Sequence, residues 1–435
     1  MIGALLFVSF VLLMLAGVPI GVALGLGGVL AIGLANMDSA HFGLLAVPQN
    51  FYASLTKYPL LALPMFVLVG SIFDRSGVAQ RLVNFAVAII GRGPGMLPVV
   101  AIMVAMFLGG ISGSGPANAA AVGGVMIAAM ARAGYPSAFS ASVIGAAAAT
   151  DILIPPSIAL IVYSVLVPGA SVPALFAAGM VPGILAGLAL ILPTIWLSRR
   201  HGLGQGEASQ DRPPFWASMR EAFWGLMAPF LILGGMRMGW FTPTEGAAVG
   251  AAGTGFIAWM NKGLTRSTLI ESFLVTAKSS AMIFFIILGA GFYNGFLALT
   301  QVPQEISNFV VNQGFSPWVV LSIILLFYLV FGCLMDSLSM ILLTVPIFFP
   351  VIVELDFGMS QEHIAIWFGI LVLIVVEVGL ITPPVGMNLF VINAMDRSTP
   401  LVQTYKVVMY FVASDIARVI LLVAFPAITL FWLRS

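Results

Sequence analysis

Two stretches of this chain concentrate oxygen where the surroundings offer almost none, and each has a counterpart further along. GGISGSGPANAAAVGG, residues 109–124, sets Ser112, Ser114 and Asn118 among glycines and alanines, and CLMDSLSM, 333–340, holds Asp336 and Ser337. AAAATDILIPPSIALIVYS, 146–164, places Thr150, Asp151 and Ser157 around Pro155-Pro156. VEVGLITPPVGMNLFVINA, 376–394, places Gly379, Thr382, Val385 and Asn388 around Pro383-Pro384. A double proline removes two backbone donors and breaks a helix, so carbonyls near Thr150, Asp151, Ile154, Gly379 and Val385 lose their helical partners. Glycine permits close backbone approach to a ligand. Exposed carbonyls of this kind suit a hard monovalent cation such as sodium, and the amides that open the following helical limb suit an anion. Simpler roles compete: small residues pack helices closely, which accounts for Ala119, Ala120 and Ala121, and Asp336 is a good N-cap for the limb after it.

Other charges divide similarly. Glu377, just before the second break, either helps an ion or proton site or faces a polar cavity. Asp415 and Arg418, three apart, read as an internal ion pair rather than a substrate contact. Glu245 in FTPTEGAAVG reads as a helix cap. A single cysteine, Cys333, and three scattered histidines leave no disulfide and no zinc cage. There is no G-x-S-x-G, H-E-x-x-H or Walker A sequence, so the chain is not expected to be an enzyme and must draw energy from an ion gradient or a partner.

The elements that position these residues are helices in lipid. Of the 435 residues 61% are hydrophobic and 8% charged, too few charges to cover a soluble surface of that size. The net charge of +1 gives no basic surface for nucleic acid. Apolar runs long enough to span lie at 2–17, 19–36, 58–74, 138–166, 173–197, 222–240, 243–260, 281–299, 362–395 and 406–433. The first has no basic residue ahead of it, which favours a first transmembrane helix over a cleaved signal. Segments 97–132 and 317–353 differ, each with two apolar limbs about a polar, small-residue centre. Limbs of about 15 residues reach roughly 22 Å, short of the ~30 Å hydrocarbon core, so both read as re-entrant hairpins rather than as pairs of short tilted spans. Segments 76–90, 300–313, 215–223 and 266–279 are mildly amphipathic and read as interfacial helices or plain loops. The polar stretch 198–221 reads as a linker between 1–197 and 222–435.

Those two units are copies. A shift of 224 positions carries Pro19 onto Pro243, Gln80 onto Gln304, Asn84 onto Asn308 and Ser112 onto Asp336; a shift of 228 carries Pro155-Pro156 onto Pro383-Pro384. Five spans plus one hairpin per unit, an odd number of crossings, force the copies into opposite orientations. With the arginine-rich linker in the cytoplasm, Arg75, Arg81, Arg92, Arg132, Lys262, Arg266, Arg397 and Lys406 also fall inside, and Lys57, Arg237 and Arg434 fall outside, in accord with the positive-inside rule. The expectation is an all-α polytopic membrane protein of two inverted repeats. Both termini lie outside, and each hairpin tip faces the break of its own copy.

At these motifs the chain resembles the large membrane subunit of tripartite ATP-independent periplasmic (TRAP) transporters, through ISGSGPANAAAVGG, DILIPPSIALIVYS, FTPTEGAAVG and GLITPPVGMNLFV, in order over nearly its whole length. The resemblance implies sodium-coupled uptake of organic acids such as sialic acids or C4-dicarboxylates across a bacterial inner membrane. It implies a secreted binding protein, a small four-helix membrane subunit, here expected as a separate chain, and an elevator motion of a hairpin-bearing transport domain against a scaffold. Carried over, it places sodium at Ser112, Gly113, Asn118, Thr150, Asp151, Ile154 and Ser157 in one copy. In the other it places sodium at Asp336, Ser337, Gly379, Thr382, Val385 and Met387. Substrate would lie near Ser112, Ser114 and Asn388, and the two pockets imply two or more ions. A stand-alone divalent-anion symporter is the alternative; a channel or an intramembrane enzyme fits less well.

Overall fold

The computed structural model describes residues 2–38, 46–90, 93–112, 115–209, 213–397 and 399–433. Among the described residues there are helices and no strands. The first half runs α1 (Ile2–Leu15), α2 (Ile20–Asp38), α3 (Ala46–Leu55), α4 (Ala62–Arg75), α5 (Val78–Ile90), α6 (Met96–Ser112), α7 (Gly115–Arg132), α8 (Ser137–Ala148), α9 (Ile158–Leu166) and α10 (Val172–Arg200). The second runs α11 (Phe215–Arg237), α12 (Pro243–Met260), α13 (Arg266–Thr300), α14 (Val302–Asn312), α15 (Pro317–Gly332), α16 (Ser337–Val353), α17 (Gln361–Ile381), α18 (Met387–Met395), α19 (Leu401–Ala424) and α20 (Pro426–Thr429).

Five helical stretches among the described residues are long and apolar enough to cross a bilayer: Tyr58–Arg75, Val172–Arg200, Arg266–Thr300, Gln361–Ile381 and Leu401–Ala424. The limbs α6, α15 and α16 are 17, 16 and 17 residues long, about 25 Å each at the helical rise, short of a full crossing. Large apolar side chains such as Leu188, Leu192, Phe230, Leu231, Ile323 and Leu326 are exposed, an arrangement stable only against lipid or another apolar surface. By contrast α17 is buried from Ile364 through Ile381, and α10, α15, α16 and α19 all pack on it. A helix apolar all round except at Glu377 belongs in such a position.

Close packing elsewhere relies on glycine. A Cβ on Gly289 of α13 would lie 2.2 Å from the carbonyl oxygen of Gly21 in α2, and one on Gly28 would lie 2.8 Å from the backbone of α13. Small-residue contacts of this type hold membrane helices together without a hydrophobic driving force.

Several boundaries differ from the sequence reading. Residues 266–279 and the span 281–299 form one 35-residue helix; Thr265 caps it, and no glycine or proline interrupts it before Gly289. Residues 215–223 likewise continue into α11, so the span read as 222–240 starts at Phe215 and ends at Arg237. The span read as 406–433 begins at Leu401 and stops at Ala424, because Pro426 cannot continue it. Helix α3 was not expected at all. Segments 76–90 and 300–313 hold the separate helices α5 and α14.

The stretch read as a linker, 198–221, is helical at both ends, and its middle is anchored. Glu207, in a short 3₁₀ turn, is buried. Its carboxylate accepts the N–H groups of Gly93 at 3.2 Å and Leu97 at 3.0 Å, and the hydroxyl of Tyr135. Tyr135 in turn accepts the N–H of Gly95 at 2.7 Å. Burial and then the neighbouring carboxylate push the Tyr135 pKa far above the ordinary tyrosine range, so it stays a donor. An acidic side chain at the opening turn of α6 also complements the helix dipole. Glu207→Ala strands these donors, and a loss of roughly 1–3 kcal/mol is expected. Thermal unfolding of the purified protein checks this: the melting temperature should fall, whereas Glu305→Ala, at an exposed position, should leave it unchanged.

Candidate functional site

The gap between α8 and α9 contains a 3₁₀ turn, Asp151–Leu153, followed by Pro155-Pro156. The gap between α17 and α18 contains Pro383-Pro384. Both Pro-Pro bonds are cis. Beyond the first gap, Ser157 caps α9 by accepting the N–H of Leu160 at 3.4 Å. Beyond the second, Gly386 at φ 65° turns the chain into α18, a conformation that glycine adopts without strain.

Each hairpin meets the break of its own half. In the second half α15 ends at Gly332, and its backbone lies against Gly379: a Cβ on Gly379 would stand 2.6 Å from the Gly332 carbonyl carbon. No side chain fits between them. Asp336 caps α16, its carboxylate accepting the N–H of Ser339 at 3.1 Å and the Ser339 hydroxyl. The Ser337 hydroxyl donates to Glu377 at 2.8 Å. In the first half α6 packs on the 3₁₀ turn of the break.

The halves are also stitched across. The second limb of each hairpin packs on the helix beyond the other half's break, α7 on α18 and α16 on α9. Asn388 in α18 donates to the carbonyl of Gly145 in α8 at 3.4 Å, and a Cβ on Gly115 would lie 3.0 Å from its Oδ1. That Oδ1 is buried with no hydrogen-bond partner. Asn118 in α7 matches it: its amide donates to the carbonyl of Ala105 at 2.8 Å, and its Oδ1 is buried and unpartnered. Such orphaned acceptors are rare and costly in a folded interior.

These pieces enclose a cavity of about 450 Å³, within the size range of small-molecule sites. Gly115, Pro116, Ala117 and Asn118 line it from the first hairpin, and Asp336, Ser337 and Leu338 from the second. Ile152, Ile158 and Ala159 reach it from the first broken segment, Leu380 and Met387 from the second. The remaining wall was not expected from the sequence. It comes from α4, with Ser71, Asp74 and Arg75, and from α13, with Ser279 and Met282. Arg75 pairs with Glu271 of α13. The charges Asp74 and Arg75 at the end of an apolar span were the available signal.

The expected site residues therefore fall into three groups. Asn118, Asp336, Ser337 and Met387 border the cavity. Thr150, Ile154, Ser157, Gly379, Thr382, Val385 and Asn388 belong to the two broken segments, but local partners already engage several of them. Thr150 and Thr382 donate to carbonyls in the preceding turn; the Gly379 carbonyl accepts the Thr382 N–H at 2.9 Å. The Val385 carbonyl, expected to be open, accepts the Tyr405 hydroxyl at 2.6 Å, and Pro384 accepts the same hydroxyl at 2.9 Å. Gly113, Ser114 and the side chains of Ser112 and Asp151 lie outside the described residues. Asp415 and Arg418 do pair, at 2.8 Å, and Arg418 also donates to the carbonyl of Pro182. Thr242 and Glu245 form a capping box at the start of α12. No group of three or more histidine, cysteine or acidic residues fit to hold a metal occurs among the described residues.

Comparison with known proteins agrees with this architecture. The chain is 39% identical to a C4-dicarboxylate TRAP transporter large permease protein of Pseudomonas aeruginosa, over 94% of this chain and 93% of that one. It is 34% identical to the corresponding protein of Rhodobacter capsulatus, over 98% and 97%. It is 32% identical to a sialic acid TRAP transporter large permease protein of Vibrio cholerae, over 88% and 87%. The solved YdaH transporter of Alcanivorax borkumensis shares the fold, with a TM-score of 0.61 at 14% identity over 90% of this chain and 88% of that one. The profile of the tripartite ATP-independent periplasmic transporter DctM component matches residues 7–428. The chain belongs to that family, the large permease subunit of the TRAP transporters.

Proposed function

We propose that this subunit imports an organic acid across the bacterial inner membrane, driven by sodium, with a small four-helix membrane subunit and a periplasmic binding protein as partners. C4-dicarboxylates and sialic acids, named for the relatives above, and isethionate, named for a permease of Oleidesulfovibrio alaskensis, support a substrate class of small organic anions. The observation that carries this reading is the single cavity bounded by both hairpin tips and both broken segments. The unpartnered oxygens of Asn118 and Asn388 and the hydroxyl of Ser337 supply neutral oxygen ligands of the kind a sodium ion takes. The amides opening α7 and α16, at positive helix ends, supply donors for a carboxylate.

Two inverted repeats, 1–197 and 222–435, each with its re-entrant hairpin, account for the paired breaks and the short limbs. The hairpins, breaks and α17 form a transport domain that slides against a scaffold built from α2, α4, α12 and α13. The cavity wall contributed by α4 and α13 supports this division, since a moving site must have a stationary surface facing it. Sodium closes each tip onto its break and orders the pocket between, so that only the loaded or empty carrier crosses.

Proteoliposomes holding both membrane subunits, supplied with binding protein and a radiolabelled acid, test the coupling. Uptake of a C4-dicarboxylate or a sialic acid should require an inward sodium gradient and fail with potassium in its place; equal uptake without sodium defeats the reading. In the same assay Gly379→Ala should cut uptake about tenfold or more, because a methyl group wedged against Gly332 costs typically ~1–3 kcal/mol of the tip–break closure. Gly234→Ala, with nothing near the added carbon, should transport normally.

A further inference from the structure

Glu377 is the one acidic residue on α17 past its first turn, and it is 1% exposed. Its position is specific. It sits two residues before Gly379, where the helix touches the second hairpin, and its Oε1 accepts the hydroxyl proton of Ser337 at 2.8 Å. Ser337 lines the cavity; Glu377 does not.

A serine hydroxyl has one proton and two lone pairs. With the proton committed to a carboxylate, the oxygen can offer only acceptors to anything in the cavity, and the charged partner polarises it further. The neighbouring Asp336 carboxylate is held by the N–H and hydroxyl of Ser339, so the tip geometry is fixed independently of Glu377. We infer that Glu377 is a positioning residue for a cation at the second hairpin tip: it turns the Ser337 hydroxyl proton away from the cavity so that the oxygen serves as a ligand. This inference rests on the sodium reading proposed above. The matching position in the first half, at a shift of 228, is Ala149, so the device belongs to one site only.

The test reads sodium binding without substrate, as the sodium-dependent rise in melting temperature of the purified two-subunit membrane complex, titrated with sodium chloride against choline chloride. Glu377→Gln keeps the shape but can present an N–H to Ser337, releasing the hydroxyl proton towards the cavity. The half-saturating sodium concentration should rise about ten- to hundredfold, the usual cost of losing a group that orients a metal ligand. Ser337→Ala should shift it similarly, and the double variant should be no worse than Ser337→Ala alone. Glu377→Asp, which keeps the charge but withdraws it, should fall between and serves if the glutamine variant does not fold. A lower melting temperature with unchanged half-saturation would make Glu377 a structural staple and overturn the inference. So would additive shifts in the double variant, while the sodium reading would survive both outcomes. Wild-type complex indifferent to sodium in this titration and in uptake would overturn both.

Discussion

Backbone groups released inside a bilayer have no water to turn to, and this constraint governs the whole arrangement. Two double prolines break two helices in the apolar interior. Everything nearby then acts to satisfy what the breaks release: Ser157 caps the restart of α9, Thr382 bonds back to Val378, and Tyr405 reaches from α19 to serve the carbonyls of Pro384 and Val385. Two buried amide oxygens without a hydrogen-bond partner, on Asn118 and Asn388, lie beside the cavity, one lining it and the other against Gly115, which does. Two open amide acceptors beside a cavity that both hairpins and both broken segments line have the character of a binding site.

The second constraint is room. Gly332 and Gly379 meet backbone to backbone, so the tip and the break can exchange contacts only through main-chain atoms and the side chains at their rims. Such a joint is sensitive to fractions of an ångström. Around it α17 is buried on every face and gives the hairpins a rigid backing, while α4 and α13 present the facing wall with Asp74, Arg75 and Ser279.

The tips and breaks were legible in the sequence because their signals are local: glycine and serine between apolar limbs, and paired prolines at matching offsets. Helix boundaries were less legible. Residues 266–279 carry Glu271, Lys278 and several hydroxyls, which read as an interfacial segment, yet a continuous helix satisfies its own backbone whatever its side chains, and the chain does not break there. What the sequence hid altogether was contact at a distance. Nothing local to Tyr405 marks it as the partner of two carbonyls twenty and twenty-one residues away. Nothing local to Glu207, in a polar and apparently slack stretch, marks it as the buried cap of a hairpin limb. The α4 and α13 wall carried a local signal in Asp74 and Arg75, but nothing in the sequence placed those charges against the two hairpins.

The cross-stitching of the halves bears on how the protein is made. The second limb of the first hairpin packs against α18, and the second limb of the other hairpin packs against α9. A ribosome delivers α7 to the membrane long before α18 exists. Until then the face of α7 that holds Gly115 and Gly123, to be filled by Asn388 and Ile392, lacks its native neighbour. Part of the packing of the first half therefore forms only once α18 has been made. The order of synthesis makes the last helices the step that completes the site, so a truncated product lacking them leaves that face of the first hairpin unfilled.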